Sequence, residues 1–289
     1  MTPTQHTPVI VLGLGAMGQA LAAALRAAAV PVTVWNRTPG KGADLVSAGA
    51  IAAATPAEAL RSAGTVVTVL LDHASVHETL DPVAAELAGR QWINLTSTSP
   101  EQSRELARWA QSHDIEFLDG GIMAVPSMIG GPGAAVLYSG AEHIFDSHRG
   151  TLETLGSAEY LGADPGVAAL VDFALLSGMY QMFAGYFHGA AMVSAAGIGA
   201  AEFGRRAAAW LAAMAQGLPE YGRVIDSGDY RTDVQHLAFQ KSAMDAITSA
   251  GRDVGVSSVP LDGIAALIDR QVAAGHGALA FERTIEELR

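Results

Sequence analysis

The chain has 289 residues, of which 50% are hydrophobic and 16% are charged, so it can form about two domains with a large buried core and is too apolar for a disordered protein. Its formal net charge of −12 disfavours binding to nucleic acid, which requires basic patches. The chain has no cysteine, which excludes disulfides and thiolate chemistry. Its first eight residues lack the basic and apolar regions of a signal peptide. We therefore expect a cytoplasmic protein.

Strand-like and helix-like segments alternate along the first half of the chain. A helix is predicted at residues 15–29, and Thr55 and Ser99, each followed by a proline and then an acidic first turn, favour two further helix starts. Because strands that alternate with helices form right-handed βαβ units, this half predicts a mostly parallel sheet. The predicted strands are residues 8–14, 32–36, 65–71, 91–97, 115–120 and 134–139.

The second half contains almost no strand signal from residue 166 onward. Helices are predicted at residues 166–196, 200–216, 232–254 and 261–274. We therefore predict three parts, which are an α/β domain at residues 1–162, a long interdomain helix at residues 163–196 and an all-helical C-terminal domain at residues 197–289.

The long predicted helix is apolar on nearly every side. Residues 182–201 contain no Asp, Glu, Lys or Arg, but Tyr186, His188 and Ser194 make them a poor lipid-facing segment, so we predict a buried helix and no membrane partner. A helix of this kind must be wrapped by other helices. We therefore predict a homodimer with exchange of helices between subunits, in which the C-terminal domain serves dimerisation and substrate binding.

A glycine-rich turn joins the first predicted strand to the first predicted helix. Gly13 permits the tight turn, Gly15 lets the backbone approach a pyrophosphate, and Gly18 lets the helix pack closely on the strand. The pattern G-x-G-x-x-G in this context predicts a Rossmann dinucleotide-binding domain, with the phosphates at the helix N-terminus. The expected binding residues of this turn are Gly13, Leu14, Gly15, Ala16, Met17 and Gly18.

The end of the second predicted strand favours NADP(H) over NAD(H). An NAD enzyme usually places an acidic residue there, whereas this strand ends in Asn36, Arg37 and Thr38, with Lys41 shortly after. Arg37 can pair with a 2′-phosphate through its guanidinium, and Thr38 and Lys41 can add donors. We therefore predict NADPH/NADP+ as the cofactor.

Two further strand ends are expected at the same edge of the sheet, where open α/β folds bind their ligands. Leu70 and Leu71 end one predicted strand, and Asn94 and Thr96 end the next, so we expect these four near the nicotinamide ribose and ring. The histidines at 73 and 77 are four residues apart. Two histidines without a third ligand favour a solvated helix face, so no metal is predicted.

Five sequence runs in a fixed order carry a family resemblance. They are GLGAMG, VTVWNRT, NLTS, DGGIMAVPSMIG (residues 119–130) and ALVDFALLSGMYQMFAGYFHGAAM (residues 169–192). This order resembles the β-hydroxyacid dehydrogenase superfamily, and within it the imine reductase family, over essentially the whole chain. The resemblance implies an oxidoreductase that uses NADPH to reduce the C=N bond of imines, including cyclic ones, to chiral amines.

The long helix departs from the hydroxyacid enzymes of that superfamily, which carry a lysine early in it. The matching position resembles Asp172, and there is no lysine between Lys41 and Lys241. A carboxylate favours an iminium cation, which a buried ammonium would oppose. The resemblance implies that Tyr180, about 12 Å further along the helix, donates a proton to the nascent amine or positions the substrate. A structural hydrogen bond explains Asp172 equally well.

The resemblance also implies an apolar substrate pocket to which the second subunit contributes. Two alternatives stay open, which are a β-hydroxyacid or semialdehyde dehydrogenase with an unusual proton relay, and a non-catalytic NADPH-binding module. The expected pocket residues are Met123, Val125, Ser127, Leu176, Trp210, Met214 and Phe239.

Overall fold

The computed structural model describes residues 7–289. The sequence prediction about a signal peptide concerns residues 1–8, and the first six of these lie outside the described residues. The chain divides into two compact units, Met1–Leu176 and Ser177–Arg289. We call them the sheet unit and the helical unit.

The sheet unit is built on one eight-stranded sheet with the strand order β3-β2-β1-β4-β5-β6-β7-β8. All neighbouring strands pair in parallel except β6 and β7, so the prediction of a mostly parallel sheet is confirmed. The two short strands β3 and β8 are not among the predicted ones. The strands are β1 (Val9–Leu12), β2 (Val32–Trp35), β3 (Ile51–Ala52), β4 (Thr65–Thr68), β5 (Gln91–Asn94), β6 (Glu116–Met123), β7 (Ala135–Gly140) and β8 (Ser157–Tyr160).

Two helices of the sheet unit, α3 and α6, begin at the capping residues that the sequence indicates. The Thr55 side chain accepts a hydrogen bond from the Glu58 N–H, and Ser99 forms a reciprocal capping box with Gln102. Both predicted helix starts are confirmed. The helices are α1 (Ala16–Ala27), α2 (Ala43–Ser47), α3 (Pro56–Ala59), α4 (His73–Leu80), α5 (Ala84–Leu87), α6 (Pro100–Ser112) and α7 (Glu142–Leu152).

The sheet is apolar on both faces. Val9 and Val11 of β1 belong to one buried cluster, whereas the alternate residues Ile10 and Leu12 belong to a second. Because successive side chains of a strand point to opposite faces, the two clusters lie on opposite sides of the sheet. Because both faces are packed, the sheet is held in place, and so are the strand ends that carry the polar residues of the site.

Helices make up most of the remainder of the chain. The helix α8 runs through the division between the two units, and α11 begins only after His236, whose side chain accepts a hydrogen bond from the Phe239 N–H. The helix α10 is not among the predicted elements, although a proline lies in its first turn. The helices are α8 (Gly166–Ser194), α9 (Ala200–Ala215), α10 (Leu218–Ser227), α11 (Leu237–Asp253) and α12 (Val259–Gln271).

The helix α8 is long and apolar enough to cross a membrane, judged by length and composition alone. In the single chain, 17% of its most apolar stretch is buried. The predicted burial of this helix is therefore not achieved within one copy of the described residues, because most of its apolar side chains are partly or fully exposed. In its first turns Ala168, Ala169 and Asp172 are buried, and so is His188 near the other end.

Candidate cofactor and active site

The three glycines of the first turn have different surroundings. A side chain on Gly13, which has φ +108°, would place its Cβ 2.2 Å from the Val69 carbonyl oxygen, and one on Gly18 would lie 2.0 Å from the Gly13 carbonyl oxygen. Gly15 has no heavy atom within 4 Å of the same position. Gly13 and Gly18 are therefore needed for the turn and for helix packing, whereas Gly15 leaves the backbone open to a ligand.

Asn36 holds this turn against the end of β2. Its Oδ1 accepts a hydrogen bond from the Leu14 N–H at 2.9 Å, and its Nδ2 donates to the Thr38 carbonyl at 3.0 Å. Leu14 itself is buried, so its side chain belongs to the core and only its backbone serves the turn. The asparagine thus positions the loop that carries the basic residues.

A cleft of about 370 Å³ opens at the carboxyl ends of β1, β2 and β4. Most of the predicted cofactor residues line it, and the exceptions are Leu14, Asn94 and Thr96. No acidic residue is among its lining residues in the described part of the chain. Those residues are Gly13, Gly15, Ala16, Met17, Gly18, Trp35, Asn36, Arg37, Thr38, Lys41, Val69, Leu70, Leu71, Ser75 and Thr79.

Four of these lining residues were missed by sequence reasoning. Trp35 and Val69 sit at strand ends, and Ser75 and Thr79 lie four residues apart on α4. The helical spacing of the last two is a signal that could have found them, because residues i and i+4 share a helix face. Trp35 could have been found as the last residue of β2, and Val69 as the residue that directly follows β4.

Arg37 is exposed at the rim of the cleft. Its guanidinium lies 3.4 Å from the Glu78 carboxylate of α4, with 78% and 66% of the two side chains exposed. An ion pair this exposed contributes little to stability, so the guanidinium is available to another anion. Lys41 is a second exposed cation of the same cleft.

Asn94 and Thr96 are buried and brace the strand ends behind the cleft. Thr96 Oγ1 accepts a hydrogen bond from the Leu70 N–H at 2.9 Å. Asn94 Oδ1 accepts one from Thr68 Oγ1 at 2.9 Å, while its Nδ2 donates to Asp119 Oδ1 at 2.8 Å. These two residues position Leu70 and β5 and do not face the cleft.

Asp119 has a buried carboxyl group and is not among the site residues predicted from the sequence. Ser103 Oγ donates to its Oδ2 at 2.8 Å, and Asn94 donates to its other oxygen. Burial raises the pKa of Asp119 to about 7, although both hydrogen bonds favour the carboxylate. Its position in a buried strand, before two glycines, is a signal that the sequence did contain.

Asp172 of α8 is a buried residue with a carboxyl oxygen that is unpartnered within the described part of the chain. It is 5% exposed, and its Oδ1 has no hydrogen-bond partner among residues 7–289. A Cβ on Gly121 of β6 would lie 2.8 Å from the Asp172 Cβ, so the glycine makes room for this side chain. Burial raises the pKa of Asp172. An unpaired buried carboxyl is unfavourable, which indicates a polar or cationic ligand at this position.

The other predicted site residues are divided between the two units. In the sheet unit, Met123 and Leu176 are partly buried, while Val125 and Ser127 are exposed. In the helical unit, the predicted residues are largely exposed. These are Tyr180, Trp210, Met214 and Phe239, at 66%, 63%, 50% and 52%.

Trp210 lines an apolar groove of about 450 Å³ within the helical unit. Met214 and Phe239 are not among the residues of that groove. The groove is formed by α8 and α9, and its lining residues are Gln181, Met182, Gly185, Tyr186, Phe203, Arg206, Ala207, Trp210 and Leu211.

Comparison with known proteins assigns the two parts of the chain. The family described as the NAD binding domain of 6-phosphogluconate dehydrogenase matches residues 8–162, and the family described as the NADPH-dependent reductive aminase-like C-terminal domain matches residues 164–289. The class defined by fold and cleft is therefore a Rossmann-type oxidoreductase with a helical C-terminal domain, and the predicted fold class is confirmed.

Whole-length relatives narrow this class. An NADPH-dependent reductive aminase from Aspergillus oryzae is 39% identical over 280 residues, covering 96% of this chain and 95% of that protein. A reductive aminase from Aspergillus terreus, solved with NADPH and ethyl levulinate, has 40% identity, covers 98% of this chain and 100% of that chain, and has a TM-score of 0.93. An imine reductase from Streptomyces aurantiacus has 33% identity, coverages of 98% and 99%, and a TM-score of 0.92. The chain belongs to the reductive aminase and imine reductase family, as its sequence runs predict.

Proposed function

We propose that this protein is an NADPH-dependent imine reductase, which transfers hydride to the C=N carbon of imines and iminium ions, cyclic ones included, and yields amines. The observation that carries the proposal is a dinucleotide cleft with a basic rim on a chain of this family. Where the C=N carbon is prochiral, the product is a chiral amine.

The cleft residues fit NADPH. Gly13 and Gly18 allow the tight turn and its packing, Gly15 leaves the backbone of the turn open to a pyrophosphate, and the N-terminus of α1 directs free N–H groups toward it. Arg37 and Lys41 supply positive charge for a 2′-phosphate. When bound, NADPH supplies the hydride.

Relatives of this chain indicate the substrate classes. A reductive aminase from Aspergillus terreus has been solved with NADPH4, cyclohexanone and allyl amine, and an imine reductase from the same organism has been solved with NADPH4 and dibenz[c,e]azepine. We extend the proposal accordingly to ketones combined with amines, in addition to preformed cyclic imines.

Two residues of α8 have proposed roles in stabilising positive charge and in donating a proton. Asp172 has a buried, unpartnered carboxyl oxygen, which is stabilised by an adjacent iminium cation. Tyr180 carries a phenol that can donate a proton to the nascent amine or hold the substrate nitrogen. No lysine is available near either residue in the sequence, since none occurs between Lys41 and Lys241.

The working unit in this proposal is a homodimer with exchange of helices. Large apolar side chains along α8 and α9 are exposed in the single chain, and an apolar surface of this extent indicates an interface. A second copy would cover them and complete a substrate pocket. They include Leu170, Leu175, Met182, Phe183, Phe187, Trp210 and Met214. We place the enzyme in the cytoplasm, where NADPH is available.

The function is tested by NADPH consumption, followed through nicotinamide absorbance. We expect turnover with a five-membered cyclic imine, and with cyclohexanone only when a primary amine is also present. A panel of β-hydroxy acids with NADP+ should give none. Turnover of a hydroxy acid alone would favour the dehydrogenase, while cofactor binding without any turnover would favour the non-catalytic module.

The role of Tyr180 is tested by Tyr180→Phe. Loss of a general acid lowers kcat/KM for the imine by about 100-fold or more. The matched control is Tyr186→Phe on the same helix, because that hydroxyl is already used by the Ala200 carbonyl at 3.1 Å. An unchanged kcat/KM in Tyr180→Phe would remove the proton-donor role.

A further inference from the structure

Two histidines and one glutamate converge on the side of α4 that faces α6. His73 and His77 lie one helical turn apart on α4, and Glu105 comes from α6. The Nε2 atoms of the two histidines lie 2.7 and 3.1 Å from the same atom, Glu105 Oε2. The sequence predicts no metal here because its third ligand lies 28 residues beyond His77. The third ligand, Glu105, comes close to the histidines only because α6 packs against α4.

The spacing of these three groups suits a transition-metal ion. Their ligand atoms all lie within 4.8 Å of one another. Zn²⁺ with bonds of about 2.0–2.1 Å to nitrogen and oxygen holds its ligand atoms roughly 3.3 Å apart, so small side-chain rotations bring the three into place. Two imidazoles and a carboxylate are also the ligand types of zinc sites that keep a fourth position for water.

The surroundings of the cluster add a second observation. Asp81 Oδ1 lies 2.9 Å from Nδ1 of His77 and can accept a hydrogen bond from it, which leaves Nε2, on the side of Glu105, as the nitrogen for the metal. A carboxylate behind a histidine in this way is the usual outer partner of a metal-binding histidine. The histidine side chains are 24% exposed and Glu105 is 41% exposed, so an ion can enter from solvent.

We propose that His73, His77 and Glu105 form a binding site for a divalent transition-metal ion, with Zn²⁺ as the ion best matched to the ligand set. Each histidine contributes Nε2 and loses any proton there to solvent as the metal binds, Glu105 contributes one carboxylate oxygen, and water fills the open position. The ion replaces the direct histidine–glutamate contacts and joins α4 to α6.

The site is separate from the cofactor cleft but shares a helix with it. Ser75 and Thr79, on another face of α4, line the cleft. A metal that fixes α4 therefore braces one wall of the cofactor site without contacting the cofactor. The role of the ion is structural, and it takes no part in hydride transfer.

The test is calorimetric titration of ZnCl2 into untagged, chelator-treated protein at pH 7.5. We expect one ion per chain with a Kd on the order of 1 µM or tighter. His73→Gln and His77→Gln should each weaken binding by 100-fold or more, and Asp81→Asn, which removes only the outer partner, by about 10-fold. In the wild type, Co²⁺ should give the visible absorption of a low-coordinate site.

The matched control is His143→Gln. His143 makes a similar contact to a carboxylate, at 2.9 Å from Glu116, but has no second histidine beside it. This variant should bind Zn²⁺ as the wild type does. The absence of saturable Zn²⁺ binding in the wild type overturns the proposal, and so does binding that survives both His73→Gln and His77→Gln. Circular dichroism without metal verifies that each variant is folded.

Discussion

The sheet unit and the helical unit bury their helices to very different degrees. In the sheet unit, α1 buries Leu21, Ala22 and Leu25 together with Gly18, and β1 is buried over its whole length. In the helical unit, α9 and α10 contain no buried residue at all, although α9 carries an exposed tryptophan and methionine. The first unit completes its core by itself.

The difference indicates where each unit obtains its stability. The apolar side of a helix must be covered by another element. In the sheet unit, the two faces of the sheet cover the helices. The helical unit leaves them exposed, which the proposed second copy would correct. Four sets of substitutions test this contrast, and the first has the largest expected effect.

Gly18→Ala should disrupt the sheet unit most severely. The added Cβ would lie 2.0 Å from the Gly13 carbonyl oxygen, which is backbone and cannot move without breaking the turn. We expect at least a 100-fold loss of NADPH affinity, measured by fluorescence titration, and a lower Tm. In Gly222→Ala of α10, with no heavy atom within 4 Å, helix propensity should instead raise stability by about 0.5–1 kcal/mol. Equal losses in both variants would contradict the contrast.

Trp210→Glu tests the helical unit. This side chain is 63% exposed in the single chain, so in a monomer its replacement should change stability by only about 0.5 kcal/mol. In a dimer that covers it, the buried carboxylate should cost several kcal/mol and give monomers in light scattering. Ile51→Glu, at a 65% exposed position on strand β3, should leave the oligomeric state unchanged. A monomeric wild type would remove the proposed dimer.

Asp119→Asn tests the buried polar network of the sheet unit through pH. The folded protein keeps a proton on Asp119 up to a pKa of about 7, whereas the unfolded chain loses it near 3.8. This carboxyl therefore stabilises the fold fully below pH 4, and the contribution is lost as the pH rises through 7. Between pH 5 and 8, the free energy of unfolding should fall by roughly 3 kcal/mol more in the wild type than in the variant.

The measurement is urea unfolding of both proteins across that pH range. The asparagine can keep both partners, by accepting from Asn94 and donating to Ser103 Oγ, which in turn donates to Thr98 Oγ1. Asp44→Asn, at an exposed position on α2, serves as the control and should follow the wild-type profile. Parallel pH profiles in wild type and Asp119→Asn would show that this carboxyl ionises normally.

The smallest effects are expected at the rim of the cleft. Arg37→Ala should weaken NADPH binding by about 10- to 100-fold and leave NADH binding unchanged, because only NADPH carries the 2′-phosphate. Glu78→Gln removes the carboxylate that pairs with Arg37 and should tighten NADPH binding by about 2- to 5-fold. If the sheet unit binds the cofactor by itself, the same shifts should appear in Trp210→Glu. An unchanged NADPH/NADH preference in Arg37→Ala would refute the assignment of the 2′-phosphate site.

The sequence by itself determined the elements whose causes are local. The glycines at 13, 15 and 18, the caps Thr55 and Ser99 and the apolar runs of the sheet act within a few residues of the chain, so their pattern predicts the turn, two helix starts and most of the strands. The basic rim could equally be predicted from the sequence, because Arg37 lies two residues beyond the end of β2.

The tertiary structure decided what depends on residues far apart in the chain. It turned Asn94 and Thr96 away from the cleft, since both satisfy buried polar groups on neighbouring strands. It placed Glu105 beside His73 and His77, and it buried Asp119 deeply enough to raise its pKa. Burial and hydrogen bonding between distant segments arise only once the sheet and its helices have packed, and for that reason no local pattern encodes them.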